Sequence, residues 1–367
     1  MCGICGFTGY RQDQKTVIER MMKAIAHRGP DSKGSFCREK ITLGFRRLSI
    51  IDLEDGQQPM ESADGNLHIV FNGEIYDYKE LREELEASGI SFRTHSDTEV
   101  LVNTIQQYGE KALDKLRGMF GFAVWDEKEQ TLMLARDFFG IKPVYYAEID
   151  GHFVFASEIK SILAFPGYER KVNQKALEQY LSFQYSPLKE TFFKGIYKLM
   201  PGHMLLYKNG NYEIKTYFKT KLTPGKWDRK TNMEQLRSQL AEILKDSVKR
   251  HMLSDVEVGA FLSGGVDSGY LASASGADQA FTVGFDEGDR AIADFVCSHC
   301  PLVASAEAKS PAQGCNHSNK YPSITFKVLS APSRWLRSYP CDAYTPAPIS
   351  PWRMSYPARR VASTSDP

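Results

Sequence analysis

The sequence lacks long apolar segments, and it lacks an excess of charge of either sign. No apolar run approaches the roughly 18 residues that a membrane-spanning helix requires. The N-terminus has no basic segment followed by an apolar stretch, as a secretory leader would. Lysine and arginine number 46 against 45 aspartates and glutamates, which argues against binding to nucleic acid or to an anionic membrane. We therefore expect a cytoplasmic protein whose seven cysteines are thiols.

The size and the distribution of residue types predict two domains and a tail. At roughly 150 residues per domain, the 367 residues suffice for two domains. Residues 289–367 contain ten of the 17 prolines and four of the seven cysteines. Stretches such as "AYTPAPISPWRMSYPARR" have neither helical nor strand periodicity, and proline interrupts both elements. We expect this tail to be poorly structured.

Residues 1–200 are rich in strand patterns and contain a few helices, which predicts an α+β domain. Two apolar strands, 144–149 and 152–157, flank Asp150-Gly151, a pair typical of a two-residue hairpin. Ser96-x-x-Glu99 is a capping box, so a helix should begin at Asp97.

Residues 201–288 begin a second domain. A capping box at Thr231-x-x-Glu234 predicts a helix that ends near residue 250. One face of this helix carries a row of apolar residues, which are Met233, Leu236, Leu240 and Leu244. A buried strand at Val256–Leu262, a glycine turn and a helix start follow, an order typical of an α/β domain.

Cys2 occupies a position that suits a nucleophile. Methionine aminopeptidase removes methionine before small residues, and Cys2 would then carry both a thiol and an α-amine. This amine has an ordinary pKa of about 7.7–8.0, so it can accept the proton of the thiol without a histidine, directly or through one water. On position alone, the alternative is that Cys2 is the small apolar start of a strand.

Six motifs in order favour the chemical interpretation: "MCGICGF", "HRGPD", "RLSIID", "NGEIYD", "SDTEVL" and "ARDFFGIKPVYY". Together they resemble the class II glutamine amidotransferases, and most of all the glutamine-hydrolysing asparagine synthetases. The resemblance covers residues 1–288. It implies that the first domain is an N-terminal-nucleophile αββα sandwich with two antiparallel sheets.

The resemblance also implies a role for each site residue in glutamine hydrolysis. Cys2 would be the nucleophile, while the Asn72 side chain and the Gly73 backbone N–H would stabilise the oxyanion. Arg47 would hold the carboxylate of glutamine, and Glu74 and Asp97 would hold its ammonium. The backbone of the segment after Arg47 would assist, which comprises Leu48, Ser49, Ile50 and Ile51. Taken singly, Arg47 could instead form a surface ion pair and Asp97 a helix cap.

The second motif is "SGGVDS", a glycine loop between a strand and a helix. Its N–H groups and hydroxyls can surround an anion, although it lacks the Lys-Ser/Thr of the Walker pattern. It resembles the pyrophosphate loop of adenine nucleotide α-hydrolase-like domains. The implied ATP-binding residues are Leu262, Ser263, Gly264, Gly265, Val266, Asp267, Ser268 and Val283. Asp267 would help to hold Mg²⁺, and we assign no protein-bound metal.

The implied reaction couples both domains. Ammonia from glutamine would attack an aspartyl adenylate made from aspartate and ATP, which gives asparagine, AMP and pyrophosphate. A second family loop, SGEG-x-DE, is missing here, and the resemblance ends near residue 288, as a shifted reading frame would produce. We therefore expect this chain to retain a competent glutaminase and only the first strand, loop and helix of the synthetase. A homodimer is a family expectation.

Three alternatives remain open from the sequence. The chain could be another class II amidotransferase, one that aminates a sugar phosphate or phosphoribosyl pyrophosphate, or a β-lactam-forming relative. It could also be a non-catalytic module with a glutaminase fold. In the tail, Cys297, Cys300, Cys315 and His317 could form a zinc site, although the second pair is tightly spaced.

Overall fold

A computed structural model describes residues 1–221, 232–263, 265–277, 279–285, 304–307 and 324–330. The chain divides into two compact units, Met1–Val258 and Gly259–Pro367. In the described part of the chain, no helix is long and apolar enough to cross a membrane.

In its described residues, the first unit contains twelve strands and six α-helices. The strands are β1 (Gly3–Thr8), β2 (Ser32–Cys37), β3 (Ile41–Arg47), β4 (Met60–Glu61), β5 (Leu67–Ile75), β6 (Gly118–Asp126), β7 (Thr131–Arg136), β8 (Tyr145–Ile149), β9 (His152–Ala156), β10 (Ile196–Lys198), β11 (His203–Lys208) and β12 (Asn211–Thr216). The helices are α1 (Gln14–Ala24), α2 (Tyr78–Ala87), α3 (Asp97–Tyr108), α4 (Ile159–Ile162), α5 (Gln174–Phe183) and α6 (Met233–His251). Two 3₁₀ turns cover Ala26–Arg28 and Gly109–Asp114.

The strands form two six-stranded sheets whose pairs are all antiparallel. The first sheet has the order β10-β8-β9-β1-β3-β2, and the second has the order β12-β11-β7-β6-β5-β4. Strands β11 and β12 therefore extend the second sheet to Thr216, past the domain boundary predicted at residue 200. The boundaries 1–200, 201–288 and 289–367 stay predictions.

The two sheets pack face to face, and helices cover both outer faces. Between the sheets, Ile4 and Phe45 from one sheet and Val70 and Trp125 from the other belong to the same apolar cluster. Helices α1 and α4 contribute to a second cluster on the outside of the first sheet. Helices α2 and α3 contribute to a third on the outside of the second sheet. This is the four-layer αββα sandwich that the resemblance implies, and the prediction of this fold class is confirmed.

Local sequence explains two elements that shape the sandwich. Asp150 and Gly151 adopt φ values of 48° and 78° between β8 and β9, which confirms the predicted hairpin. Ser96 caps α3, because its side chain accepts the N–H of Thr98. Glu99 does not complete the predicted capping box. Its carboxylate instead accepts the backbone N–H groups of Arg93 and Thr94.

Helix α6 forms over the residues that the sequence predicts, which confirms the helix, although part of its apolar face is exposed. Asn232 caps it by accepting the N–H of Glu234, and the predicted cap, Thr231, lies outside the described residues. Met233 and Leu240, on the predicted buried face, are 64% and 57% exposed. The sequence predicted this face from apolar periodicity alone. In the described structure, the Arg117–Asp246 and Arg250–Glu80 ion pairs anchor the helix near its C-terminal end.

The second unit has strands β13 (Gly259–Phe261), β14 (Gln279–Phe285), β15 (Ala304–Glu307) and β16 (Ile324–Ser330) and helix α7 (Val266–Ser275). Strands β13 and β14 are parallel, as an α/β domain requires, whereas β16 is antiparallel to both of its neighbours. Strands β15 and β16 lie within the tail predicted to be irregular. The rest of that tail lies outside the described residues, as do the four candidate zinc ligands.

The strand predicted at Val256–Leu262 is shorter and more exposed than expected. Only Gly259–Phe261 is strand, and the side chains of Val256 and Phe261 are 41% and 82% exposed. Among the described residues of this unit, the apolar cluster contains Leu262, Ala272 and Ala280, with Ala260 packed against it. So small a cluster covers one side of the strand at most.

Candidate active site

A cavity of about 200 Å³ lies in the first unit, at the N-terminus of the chain. Its volume is below the roughly 300–1,000 Å³ typical of pockets for drug-sized ligands, which limits a ligand to a small molecule. Most of the residues predicted for the glutaminase site line it, namely Cys2, Arg47, Leu48, Ile50, Ile51, Asn72, Gly73, Glu74 and Asp97. Residues up to 95 positions apart in the sequence thus meet in one cavity.

Cys2 lies just before β1, and its sulfur is held at the segment that follows β3. The backbone N–H of Leu48 donates to Cys2 Sγ at 3.4 Å, and Sγ lies 3.5 Å from Leu48 O. Burial raises the pKa of the Cys2 thiol, whereas the hydrogen bond to Leu48 lowers it. The sulfur at rest is therefore a positioned thiol that requires a base.

The N-terminal amine is an available base beside this thiol. Burial lowers the pKa of the Met1 amine, and the positive charges of Lys142 and Arg28 act in the same direction. Neutral amine is the form that accepts a proton. In the chain as described this amine belongs to Met1, so only removal of Met1 would place it on Cys2.

Arg28 holds the other end of Cys2 in place. Its Nε donates to Cys2 O at 2.8 Å, and its Nη1 contacts Glu158 Oε1 at 2.9 Å. Although burial opposes it, hydrogen bonds from Arg28, Lys160 and His27 lower the pKa of Glu158 to about 2. Glu158 is therefore a firm anion across the physiological range, and it orients Arg28 toward the backbone of Cys2.

Asn72 presents a buried amide without a partner. The residue is 1% exposed, and within the described part of the chain Asn72 Nδ2 has no hydrogen-bond acceptor. An unsatisfied buried donor costs about 1–3 kcal/mol, so such a group in a cavity indicates a ligand atom that completes it. A carbonyl oxygen that gains negative charge is such an acceptor.

Gly73 follows in β5 and packs closely against β6. A Cβ at Gly73 would lie 2.2 Å from Met119 O and 2.8 Å from Phe120 Cα. The glycine is therefore required by the close approach of the neighbouring strand. Asn72 and Gly73 also lie inside the strand, which continues to Ile75.

Arg47 is 4% exposed at the end of β3. Its Nη1 donates to Leu53 O at 3.1 Å, and its Nη2 donates to Ile51 O at 3.3 Å and also to Asp52 O. The guanidinium thus binds the loop after β3 rather than a surface carboxylate. This loop and its arginine form one wall of the cavity.

Asp97 is the first residue of α3 and is 5% exposed. Its Oδ2 accepts the backbone N–H of Ile75 at 3.1 Å. Burial raises the pKa of Asp97 to about 7, and the negative charge of Glu74 acts in the same direction. Burial likewise raises the pKa of Glu74, which Lys142 opposes. Two carboxyl groups that share a cavity and resist ionisation are suited to a cationic ligand group.

Gln58 and Lys142 line the cavity, and Arg28 contacts the backbone of Cys2, but the sequence interpretation gave none of the three a role. Gln58 Oε1 accepts the N–H of Phe71 at 2.6 Å, and Gln58 Nε2 donates to Thr98 Oγ1 at 3.1 Å. Arg28 and Lys142 stand in "HRGPD" and "GIKP", motifs that carried the resemblance. A charged residue beside glycine and proline in such a motif was the signal that could have found them.

Ser49 is the one predicted glutamine-site residue outside the residues that line the cavity. Its backbone N–H donates to Asp31 Oδ2 at 2.8 Å. Asp31 also binds Arg47 O through its own N–H at 3.1 Å. Ser49 therefore helps to fix the loop that carries the lining residues.

The glycine loop of the second unit is exposed. Ser263 and Ser268 hydroxyls lie 3.0 Å apart, and Ser268 Oγ donates to Gly265 O at 3.0 Å. Val266 and Asp267 begin α7, whereas Leu262 is 4% exposed. Val283 lies in β14, and Gly264 lies outside the described residues. In the part of the chain that the structure covers, no cluster of three His, Cys, Asp or Glu residues could hold a metal ion.

Comparison with known families assigns both parts of the chain. A family model described as a glutamine amidotransferase domain matches residues 1–218, more than half of the chain. A model described as asparagine synthase matches residues 239–333. The second match continues past residue 288, where we expected the resemblance to end.

Similar curated proteins are glutamine-hydrolysing asparagine synthetases. Asparagine synthetase 1 of Bacillus subtilis is 44% identical over 297 residues, which are 77% of this chain and 46% of the relative. A putative asparagine synthetase of Mycobacterium bovis is 34% identical over 335 residues, or 84% of this chain and 50% of the relative. The chain spans about half the length of the curated relatives it matches.

Among solved structures, the glutamine phosphoribosylpyrophosphate amidotransferase of B. subtilis is similar over 78% of this chain and 67% of that chain, at 18% identity and a TM-score of 0.46.

Proposed function

Since the chain belongs to the family of glutamine amidotransferase domains, we propose that its first unit hydrolyses glutamine to glutamate and ammonia with Cys2 as the nucleophile. The observation that carries this proposal is the amide of Asn72, whose Nδ2 has no hydrogen-bond partner among the described residues and which lines the same cavity as the Cys2 thiol. A nucleophile and an unfilled donor for the oxyanion are the two parts that amide hydrolysis requires.

The proposed reaction proceeds in two steps after Met1 is removed. The α-amine of Cys2 takes the thiol proton, and sulfur attacks the carboxamide carbon of glutamine. Asn72 Nδ2 and the Gly73 N–H donate to the oxygen, which carries the negative charge. The amine returns the proton to the departing nitrogen, the carbon–nitrogen bond breaks and ammonia leaves. Water then attacks the thioester, releases glutamate and restores the thiol.

Glutamine would be held at its amino-acid end. The Arg47 guanidinium would bind the α-carboxylate, with the loop after it in support. Asp97 and Glu74 would bind the α-ammonium, whose positive charge favours their ionised forms. These assignments follow the family pattern, and they are supported by the fact that all three side chains line the cavity of Cys2.

For the whole protein we propose glutamine-dependent asparagine synthesis, in which ammonia amidates aspartate at the expense of ATP. The support is the match of residues 239–333 to the asparagine synthase model. Ser263–Ser268 would bind the pyrophosphate portion of ATP, with Leu262 and Val283 near the nucleoside. Mg²⁺ commonly binds one or two carboxylates together with substrate phosphates, and the exposed Asp267 fits one such ligand. A cytoplasmic homodimer is part of the same proposal.

A glutaminase assay on the purified chain tests the first activity. Wild-type protein should release glutamate and ammonia, and Cys2→Ala should abolish release while the circular dichroism spectrum stays unchanged. Full activity in Cys2→Ala, or activity in a preparation that mass spectrometry shows to retain Met1, would refute the mechanism.

A parallel assay with aspartate and ATP tests the second activity. Glutamate without asparagine would support the hypothesis that this chain retains only the glutaminase half. Asparagine and pyrophosphate in equal amounts would show that the chain performs the complete reaction. A folded chain that releases no glutamate in this assay would instead favour a non-catalytic module.

A further inference from the structure

Lys142 is a buried cation to which the proposed reaction has given no role. It is 5% exposed and lines the same cavity as Cys2, Asn72 and Glu74. Among the described residues, its ammonium makes no hydrogen bond or salt bridge. The anionic groups that act on this ammonium most strongly are the Glu74 carboxylate and the Cys2 thiolate, so its charge can stabilise an anion that forms at the sulfur.

The side chains of Asp137 and Arg136 hold the backbone of Lys142 on both of its sides. Asp137, which is 1% exposed, accepts the N–H of Lys142 at 2.8 Å and the N–H of Ile141 at 2.9 Å. Arg136 Nε donates to Lys142 O at 2.8 Å, and its Nη2 donates to Gly140 O at 2.7 Å. The segment after β7 therefore presents Lys142 from a rigid support.

A glycine in β6 makes room for Lys142 beside Asn72. Gly121 pairs with Asn72 across β5 and β6, and residues directly opposite in an antiparallel pair share one face of the sheet. A Cβ at Gly121 would lie 3.5 Å from Lys142 Cβ and 2.8 Å from Val144 Cγ2. Lys142 and Val144 thus occupy the space that a side chain at 121 would take, on the face that carries the Asn72 amide.

Several charged groups from different elements lie around Cys2. Besides the α-amine they are Arg28, Arg47, Glu74, Asp97 and Lys142. Burial lowers the pKa of Lys142, whereas the charges of Glu74 and of the Cys2 thiolate raise it. Of the cations, Arg28 is bound to Glu158 and Arg47 to backbone carbonyls. Among these described cations, the ammonium of Lys142 makes no hydrogen bond or salt bridge to protein groups, and its charge acts on the Cys2 thiolate.

We propose that Lys142 stabilises the thiolate of Cys2 and thereby sets the reactivity of the nucleophile. The proposal rests on the proposed function for the identity of the nucleophile. A cation beside a thiol favours its ionised form, and the thiolate is the form that attacks. The charge of Lys142 is present in the cavity before substrate binds, and the proton leaves the sulfur for the α-amine.

Alkylation of Cys2 by iodoacetamide measures this effect without substrate. The full chain lacking Met1 is treated between pH 5.5 and 10, and modification of the Cys2 peptide is quantified by mass spectrometry. Lys142→Met should raise the apparent pKa of alkylation by about one unit, so that modification near pH 7 is roughly tenfold slower. Lys142→Arg should restore most of the rate. Lys128→Met, at a side chain that is 73% exposed, is the matched control and should not change it.

Identical pH profiles for wild type and for folded Lys142→Met would overturn the proposal, as would a failure of Lys142→Arg to restore the rate. Should Lys142→Met not fold, Lys142→Gln replaces it with the same expected shift.

The glutaminase assay separates the two proposals. A shifted alkylation profile in a chain that does not hydrolyse glutamine would retain the role of Lys142 and refute the proposed function. Normal glutamine turnover together with an unshifted alkylation profile would support the proposed function and refute the role of Lys142.

Discussion

In the part of the chain that the structure describes, the buried Nδ2 of Asn72 has no hydrogen-bond partner, and this has a measurable consequence. Asn72→Ala should lower the kcat of glutamine hydrolysis by about 10²–10³, the usual effect of losing one oxyanion donor. Because Nδ2 has no partner in the described structure, the variant loses no hydrogen bond from that atom. The midpoint of thermal unfolding should therefore stay within a few degrees of wild type.

Asn103 provides the comparison for that experiment. It is fully buried, its Oδ1 accepts the N–H of Ala63 at 2.8 Å, and its Nδ2 donates to Glu99 O at 2.9 Å. Asn103→Ala should lower stability far more than Asn72→Ala, while kcat changes little. An Asn72→Ala enzyme with normal kcat would remove the amide from the mechanism.

Asp97 should make glutamine binding depend on pH. Its pKa of about 7 means that the carboxyl is protonated in acid and cannot pair with the ammonium of glutamine. The KM for glutamine should therefore fall as pH rises through about 7 and become constant above pH 8. Steady-state kinetics between pH 5.5 and 8.5 check this, and Asp97→Asn should give a high KM at every pH.

Stability measurements verify that Asp97 itself titrates. The folded chain holds its proton up to about pH 7, whereas the unfolded chain releases it near pH 3.9. The folded-state pKa is the higher one, so the stability due to this group is complete below pH 4 and is lost as pH rises to 7. Asp97→Asn should thus gain stability relative to wild type over that range. Parallel stability curves would show that another group controls the KM.

Among the elements, the loop after β3 is held by residues from distant parts of the chain. The N–H of Asp52 donates to Asp255 Oδ2 at 2.7 Å, the N–H of Asp255 donates to Ile50 O at 3.1 Å, and Asp52 Oδ2 accepts the N–H of His95 at 2.8 Å. Asp255→Ala removes a hydrogen bond to a charged group, commonly worth about 1.5–3 kcal/mol. We expect a roughly tenfold higher KM for glutamine and a small change in kcat.

Hydrogen exchange of residues 48–53 by mass spectrometry checks that cause directly, and exchange should be faster in Asp255→Ala. Asp246→Ala is a suitable control, since Asp246 forms ion pairs with Arg117 and Arg250 on the surface of the same unit. If KM rises without faster exchange in the loop, Asp255 acts by another route.

Local patterns predicted elements well where one short segment decides the structure. Asp150-Gly151 and Ser96 each act within a few residues, and both predictions are confirmed. The face of α6 was predicted from apolar periodicity, which cannot tell what will cover it, and Met233 is exposed. Lys142 was missed for a related reason. Its surroundings include Gly121 of β6, a residue distant from it in the sequence.

At the scale of the whole molecule, the three large apolar clusters all lie within residues 1–258. A fragment that ends at Val258 should therefore fold cooperatively and retain glutaminase activity within about twofold of the full chain. Differential scanning calorimetry and the glutaminase assay on both proteins check this. The fragment and the main transition of the full chain should melt within a few degrees of each other.

A fragment that aggregates or melts at a much lower temperature would show that the second unit stabilises the first.

The fold of the sandwich could be predicted because six motifs spread over 146 residues marked it. The second unit could be predicted only as far as its first strand, loop and helix, since no comparable pattern specified the antiparallel pairing of β14 with β16.

The cations around the cavity have a consequence for the turnover of the enzyme. Arg47 and Asp97 would grip the amino-acid end of the ligand, which glutamine and glutamate share. At the far end, the donor of Asn72 and the charge of Lys142 suit a carboxylate at least as well as a carboxamide. Glutamate should therefore dissociate slowly after the thioester is hydrolysed and compete with glutamine for the site. The turnover rate in the cell would then depend on how fast glutamate is removed.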